Sequence, residues 1–472
     1  MHHYANAVRW GKYLAWPALA AALAWPAALP ATGQARDWPR FQTHSRARAG
    51  IGASGLGALR RQRVRLAGTV DSSPIYLHGI EAQGRRRDVF FATTTYGKTL
   101  AIDAADGRVL WTFTPPGYAG WAGSRRITNA TPVAGPGRHS IYAAAPDGKV
   151  YKLAAADGHA AWSTAVTRLP RREKIASALQ YSRGHIVVVT GGYIGDAPPY
   201  QGHVSILDAA SGRRLRVWNS LCSNRPGLLN PSSCASSDSA IWGRAGATIE
   251  AQTGDLFIAT GNGPWNGRTD WGDAVLWLNS GATRLLGNYT PKNSNHLAER
   301  DLDIGSSSPV LLGGGYLAQG GKDGYIRLLR LSQMRGGAAH SGGAAQRVRT
   351  PGGRMLFTAL ATLKTGGQTW LFAADNGGTA AWTLDHGRLQ PRWQNAHAGT
   401  SPILAGGLLY IYDPNGGGLR VYLPQSGRQV GDLACGRGHW NSPIIVDGRI
   451  ALPTGNANAH ATSGELDIWR SK

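Results

Sequence analysis

One phrase recurs along the 472-residue chain and restricts what it can fold into. Leu100–Trp111 reads LAIDAADGRVLW and Tyr151–Trp162 reads YKLAAADGHAAW, so that Gly107 and Gly158, like Trp111 and Trp162, lie 51 positions apart. The phrase returns as SILDAASG over Ser205–Gly212 and, altered, as VYLPQSG over Val421–Gly427. Each copy predicts strand, tight turn and strand, with Asp or Ser before a glycine that takes the positive φ other residues resist. A β-branched or aromatic run precedes the phrase, such as Val89–Ala92, Ser140–Ala143 or Leu408–Tyr412. Ahead of that run stands a Ser/Thr-Pro step: Ser73-Pro74, Thr131-Pro132, Ser308-Pro309, Ser401-Pro402 and Ser442-Pro443, with degenerate counterparts near Ser177, Thr248 and Thr358. These entries count to eight. Four short antiparallel strands per ~40 to 50 residues is the pattern of a propeller blade, because one such sheet cannot cover both faces and must stack on its neighbours. The expected fold is all-β, an eight-bladed β-propeller of four-stranded antiparallel blades over residues 66–472, with the recurring tryptophans packed between blades.

Composition agrees with this. Glycine supplies 65 residues and charged residues 16%, too few Leu, Glu and Lys for long helices, while 42% hydrophobic content and 17 tryptophans argue against disorder. Fifty basic residues against 27 acidic ones give a net charge of +23, which attracts polyanions by long-range steering. The basic residues are scattered singly and only nine are lysine, so the expected partner is an envelope protein or a polyanion, with no nucleic acid.

The N-terminus reads as a secretion signal over residues 1–35. Arg9 and Lys12 precede an apolar run, Tyr13–Leu29, and Gly33-Gln34-Ala35 supplies the small residues of a cleavage site. The 17-residue run is interrupted by Pro17 and Pro26 and falls short of the ~20 residues of a span, so no transmembrane span is expected in the mature chain. A mature protein beginning near Arg36 belongs in the periplasm or outside the cell. Residues 36–65 are expected to join the ring, with the stretch around Trp38 to Ile51 pairing into the last blade to cover an open strand edge. An oxidising compartment permits disulfides. Cys222 and Cys234 bracket one short loop and are the expected pair, leaving Cys435 free, and closing that loop contributes about 3 kcal/mol. No CxxC pair and no two histidines at the close paired spacing of zinc ligands occur, which argues against a zinc site, and the lack of CxxCH excludes covalent haem.

These repeats, together with Asp37-Trp38-Pro39-Arg40-Phe41, resemble the pyrroloquinoline quinone (PQQ) repeat family of β-propellers over about residues 37–470. The family includes quinoprotein alcohol dehydrogenases and exported propellers that bind proteins. The stretch Ala259–Asn266, ATGNGPWN, is similar to one in which the dehydrogenases place an Asn on the catalytic metal, which implies that role for Asn262. Tyr289-Thr290-Pro291 followed by Asp301-Leu302-Asp303 is similar to the segment that carries the catalytic base and, in lanthanide-using members, an extra carboxylate. Those roles fall on Asp301 and Asp303. Trp242 resembles the residue on which the flat quinone stacks, although its spacing to Asn262 is about two residues longer than in those enzymes, and Lys322 in GKDG matches a basic contact to the quinone carbonyls. Two departures stand against this. The metal-binding Glu is replaced by DAPPY over Asp196–Tyr200, with only Asp196 nearby, and the adjacent-cysteine pair is absent. The departures favour an exported binding or scaffold propeller without cofactor. The set Asn262, Asp301, Asp303 and Lys322 favours a dehydrogenase that uses PQQ with Ca²⁺ or, given Asp303, a lanthanide. The binding propeller is the leading expectation.

Overall fold

The computed structural model describes residues 36–42 and 50–471. The expected secretion signal, residues 1–35, lies outside the described residues. Eight four-stranded antiparallel sheets stand in chain order around a closed ring. The first seven blades occupy residues 75–113, 133–165, 180–219, 248–289, 310–349, 361–395 and 403–434. The eighth takes three strands from residues 444–470 and its outermost from the chain's start, where Arg60–Leu66 pairs with Gly464–Arg470. No helix among the described residues is long and apolar enough to cross a membrane.

The closing strand lies further along the chain than the Trp38 to Ile51 stretch expected for it. Arg60–Leu66 alternates, with Val64 and Leu66 buried and Arg61, Arg63 and Arg65 exposed, which suits a strand with one face on the core. Trp38 instead bridges Tyr76 in the first blade through reciprocal backbone hydrogen bonds of 2.8 and 2.9 Å. Pro39 next to it has no N–H to continue a ladder. Ile51 packs in the same hydrophobic cluster as Trp38, one that runs through the seventh, eighth and first blades.

The repeated phrase explains how blades dock. Gly107, Gly158, Gly212 and Gly427 all take the left-handed conformation, φ +67° to +78°, in the turn after the third strand. A tryptophan on the preceding blade's fourth strand lies flat on the last three. A Cβ at Gly158 would stand 2.6 Å from the Trp111 ring, one at Gly212 2.5 Å from Trp162, and one at Gly427 2.5 Å from Trp393. Each indole N–H donates to a carbonyl of the same turn: Trp111 to Ala155 (3.1 Å), Trp162 to Ala210 (3.1 Å) and Trp393 to Pro424 (2.8 Å). Glycine is required because only a residue without Cβ fits both the positive φ and the ring.

The Ser/Thr-Pro entries form an inner ring of hydrogen bonds that ties neighbouring blades near the axis. Ser73 N–H donates to Thr131 Oγ1 (3.2 Å), Leu179 N–H to Thr131 O (3.1 Å), Ser307 Oγ to Thr358 O (2.8 Å), Ala359 N–H to Ser401 Oγ (2.9 Å) and Ser442 N–H to Ser72 O (3.2 Å). Just past these entries the segment 36–42 crosses the axis. Phe41 is buried against Ala178 and Ala359, and the Gln42 amide donates to Leu360 O (3.4 Å) and Pro402 O (3.1 Å). Phe41 therefore closes the central channel at that end.

Cys222 and Cys234 are joined, with Cα atoms 6.1 Å apart, and Cys435 carries a free thiol.

Candidate functional site

Residues that immediately precede the blade entries come together on the other side of the inner ring, around a cavity of about 410 Å³. Asn129, Lys174, Arg244, Phe357 and Trp440 each stand one to four positions before an entry, so the ring geometry itself gathers them. Three aromatic side chains form a row along the wall: Trp242 to Phe357 at 5.9 Å between ring centres and Phe357 to Trp440 at 5.3 Å. A cation lies over each end of the row, Lys322 Nζ 5.1 Å from the Trp242 ring and the Arg244 guanidinium 5.5 Å from the Trp440 ring.

Asn262 of the fourth blade, Lys322 of the fifth, Trp242 of the connection before the fourth and Asp301 and Asp303 of the connection between the two all line this one cavity. Lys322 Nζ sits between the two carboxylates, 2.7 Å from Asp303 Oδ2 and in direct contact with Asp301 Oδ1. The Asn262 amide N–H donates to Asp301 Oδ1 at 2.7 Å. Asp301 is exposed to the cavity (63% of its side chain) and Asp303 is buried. Asp196, the residue nearest to the missing glutamate, also reaches the wall.

The electrostatics are those of a charged cluster buried at Asp303 and Asp273 and open at Asp301. Burial pushes the Asp303 carboxyl up to about 6 against the opposing pull of Lys322, with Asp301 and Asp196 adding repulsion. Asp273, which accepts the Ile304 N–H at 3.2 Å, is pushed up to about 8 by burial and by Asp303. Burial works against the charge of Lys322, but Asp303 and Asp301 outweigh it and hold the ammonium above the usual lysine range. Backbone strain gathers here too. Asp196, Asp238, Ser239, Asp273 and Asp301 all have positive φ, between +43° and +107°. Non-glycine residues hold such conformations only where surrounding structure imposes them, a frequent property of ligand sites.

Three buried oxygens of the cluster, Asn262 Oδ1, Asp303 Oδ1 and Asp273 Oδ2, have no hydrogen-bond donor. Unpartnered buried acceptors are costly, and a hard cation satisfies several at once. Asn262 and Asp303 thus fit a metal ion, with Asp301 beside them. The aromatic row and the cations at its ends fit a flat, acidic organic molecule.

Sequence reasoning missed Lys174, Arg244, Asp273, Phe357 and Trp440, which belong to no motif. Counting back from the blade entries finds four of them. Arg244 donates to Asp71 O (2.9 Å) and Trp440 O (3.2 Å), and burial lowers it to about 10. Lys174 is lowered to about 8, by burial first and then by Arg244. Its two-residue strand, Glu173–Lys174, pairs with Gly191–Gly192. Glu173 is anchored by His203 Nε2 at 2.9 Å and by the Gln201 N–H at 3.0 Å.

Comparison with known proteins agrees with the ring. The family model described as outer membrane protein assembly factor BamB matches residues 65–215 and 97–294. The chain is a PQQ-repeat β-propeller. The propeller's sequence is similar to the dehydrogenase subunit of the quinone alcohol dehydrogenase of Acetobacter aceti, 26% identical over 210 residues, which is 38% of this chain and 27% of that protein. The chain thus matches about a quarter of that relative's length. Among solved structures, the quinohemoprotein alcohol dehydrogenase of Comamonas testosteroni superposes with a TM-score of 0.66 at 15% identity, covering 92% of this chain and 80% of that one. A europium-containing methanol dehydrogenase gives 0.64 at 15% identity, covering 92% and 99%. At such identities the structural likeness is one of fold, and the site must carry any functional argument.

Proposed function

We propose that the cavity binds PQQ together with a hard cation and that the protein is an exported alcohol dehydrogenase of the quinoprotein type. The observation that carries this reading is the pair of donorless buried oxygens, Asn262 Oδ1 and Asp303 Oδ1, beside the Lys322–Asp301 contact, with Lys322 Nζ over the Trp242 ring. The departures that favour a scaffold propeller lose weight beside this arrangement, because Asp303 supplies a carboxylate where the glutamate is lacking. The cation would be held by Asn262 and Asp303. Trp242 would carry the flat face of the quinone, and Lys322 would lie against its edge. When bound, the quinone accepts the hydride equivalent of the alcohol and the cation polarises the quinone carbonyl.

The chain's own residues prepare the rest. Asp301 is the one member of the carboxylate pair that faces open space, and it accepts the hydroxyl proton of an alcohol as general base. The Asn262 N–H and Lys322 fix the carboxylate, so that its orientation is set before substrate arrives. Phe41 closes the axial channel below, which leaves the cavity mouth as the route for substrate and keeps water from crossing.

Titration calorimetry and absorbance with PQQ plus Ca²⁺ or a lanthanide test the reading. One saturable site is expected, tighter with the lanthanide because two carboxylates favour the higher charge. Asp303→Ala should remove that preference, and Asp301→Ala should keep binding while losing turnover. No heat and no spectral change with any metal would overturn the proposal.

A further inference from the structure

The cavity contains two lysines in opposite circumstances. Lys322 is clasped by Asp301 and Asp303 and stays an ammonium. Lys174 lines the same cavity, yet among the described residues no carboxylate lies within ion-pair distance of its Nζ. A half-buried amine beside a second cation and without a carboxylate in ion-pair reach is an activated nucleophile, since its neutral form is populated near neutral pH.

We propose that Lys174 is a carbonyl-capturing amine that forms an imine with small apolar aldehydes entering the cavity. The Nζ lone pair attacks the carbonyl carbon to give a carbinolamine. The amine's two protons leave with the former carbonyl oxygen as water, and a C=N bond remains. No oxidant or reductant is consumed. The aromatic row and the two exposed large hydrophobic side chains at the rim, Ile194 and Met355, suit an apolar substituent on the aldehyde. An aldehyde is also what oxidation of a primary alcohol in this cavity releases, so the amine stands where such a product emerges.

The groups that face Lys174 agree with this role. Arg244 repels its proton, and Asp71 attracts it more weakly. The Asp71 carboxylate is already engaged by His439 Nδ1 (2.7 Å) and the Trp440 N–H (2.7 Å). Tyr193 on the wall is held protonated by burial, pushed up to about 12, and carries no charge. Across the cavity, Asp301 and Asp303 are occupied by Lys322. The anchoring of Glu173 by His203 fixes the short strand that aims Lys174 into the space.

Butanal with sodium cyanoborohydride, applied to the full chain and followed by chymotryptic peptide mass mapping, tests the proposal without quinone or metal. A negative quinone titration therefore leaves it standing, and the converse holds. At pH 8 an amine titrating near 8 is about half neutral and an ordinary lysine well under about 1%, so after allowance for weaker basicity Lys174 should be alkylated at least about tenfold faster than exposed Lys292. Labelling should rise with a midpoint near pH 8 and vanish in Lys174→Arg, which keeps the positive charge. If that variant fails to fold by circular dichroism, the wild-type site map and pH profile decide alone. Alkylation of Lys174 no faster than Lys292, or cavity labelling at Lys322 instead, would overturn the assignment.

Discussion

Replacing Gly158 by alanine tests the inter-blade latch most directly. The new Cβ meets two obstacles. At φ +78° an L-residue is disfavoured by about 1 kcal/mol. It also stands 2.6 Å from Trp111 Cε3, 2.9 Å from Cδ2 and 3.0 Å from Cζ3, a contact with the fused ring that no single rotation relieves. Trp111 is 7% exposed and its indole N–H is tied to Ala155 O at 3.1 Å, so the ring has to move as a body, and overpacking of this kind costs about 1 to 3 kcal/mol more. Gly184→Ala is the control: φ there is +82° but nothing lies within 4 Å, so only the conformational cost of about 1 kcal/mol applies. Urea denaturation followed by far-ultraviolet circular dichroism reads the midpoints. Gly158→Ala should lose about 2 to 4 kcal/mol in total. In Trp111→Ala, which itself costs about 3 to 5 kcal/mol, adding Gly158→Ala should cost only about 1 kcal/mol more. Equal losses for Gly158→Ala and Gly184→Ala, or strict additivity of the double variant, would refute the latch.

Phe41→Ala should lower stability by about 3 kcal/mol, because the side chain is 6% exposed and fills the axial channel; an unchanged urea midpoint would mean that the plug bears no load. Lys174 is lowered from 10.5 to about 8 on folding, so between those values the unfolded chain binds more protons and stability rises with pH. The gain is at most about 3 kcal/mol, and Lys174→Met, compared with wild type by melting at pH 8 and pH 10, should lack it. Exported protein should begin at Arg36 on N-terminal sequencing, and a product that retains Met1 would exclude cleavage beside Ala35.

The sequence by itself determined the ring, because the repeated phrase is local chemistry. The Asp-Gly turn, the tryptophan four positions later and the Ser/Thr-Pro entry each act within a few residues, and their recurrence states how many blades there are. Resemblance to the quinoprotein dehydrogenases implied Asn262, Asp301, Asp303, Lys322 and Trp242 as residues of one site, and the fold brings all five to one cavity. Only the tertiary structure decided which strand closes the ring. Arg60–Leu66 and the Trp38 stretch both offer apolar residues, and the choice depends on the partner edge at Gly464–Arg470, about 400 residues away. Only closure also brings Lys174, Arg244, Phe357 and Trp440 to a common wall, because they lie in different inter-blade connections, and their shared place before an entry does not by itself say that they face one cavity. The upward shift of the Asp303 carboxyl and the downward shift of the Lys174 amine were likewise invisible. A carboxylate or an amine carries its ordinary value in the sequence, and only burial, together with the charges that the fold places beside it, moves that value.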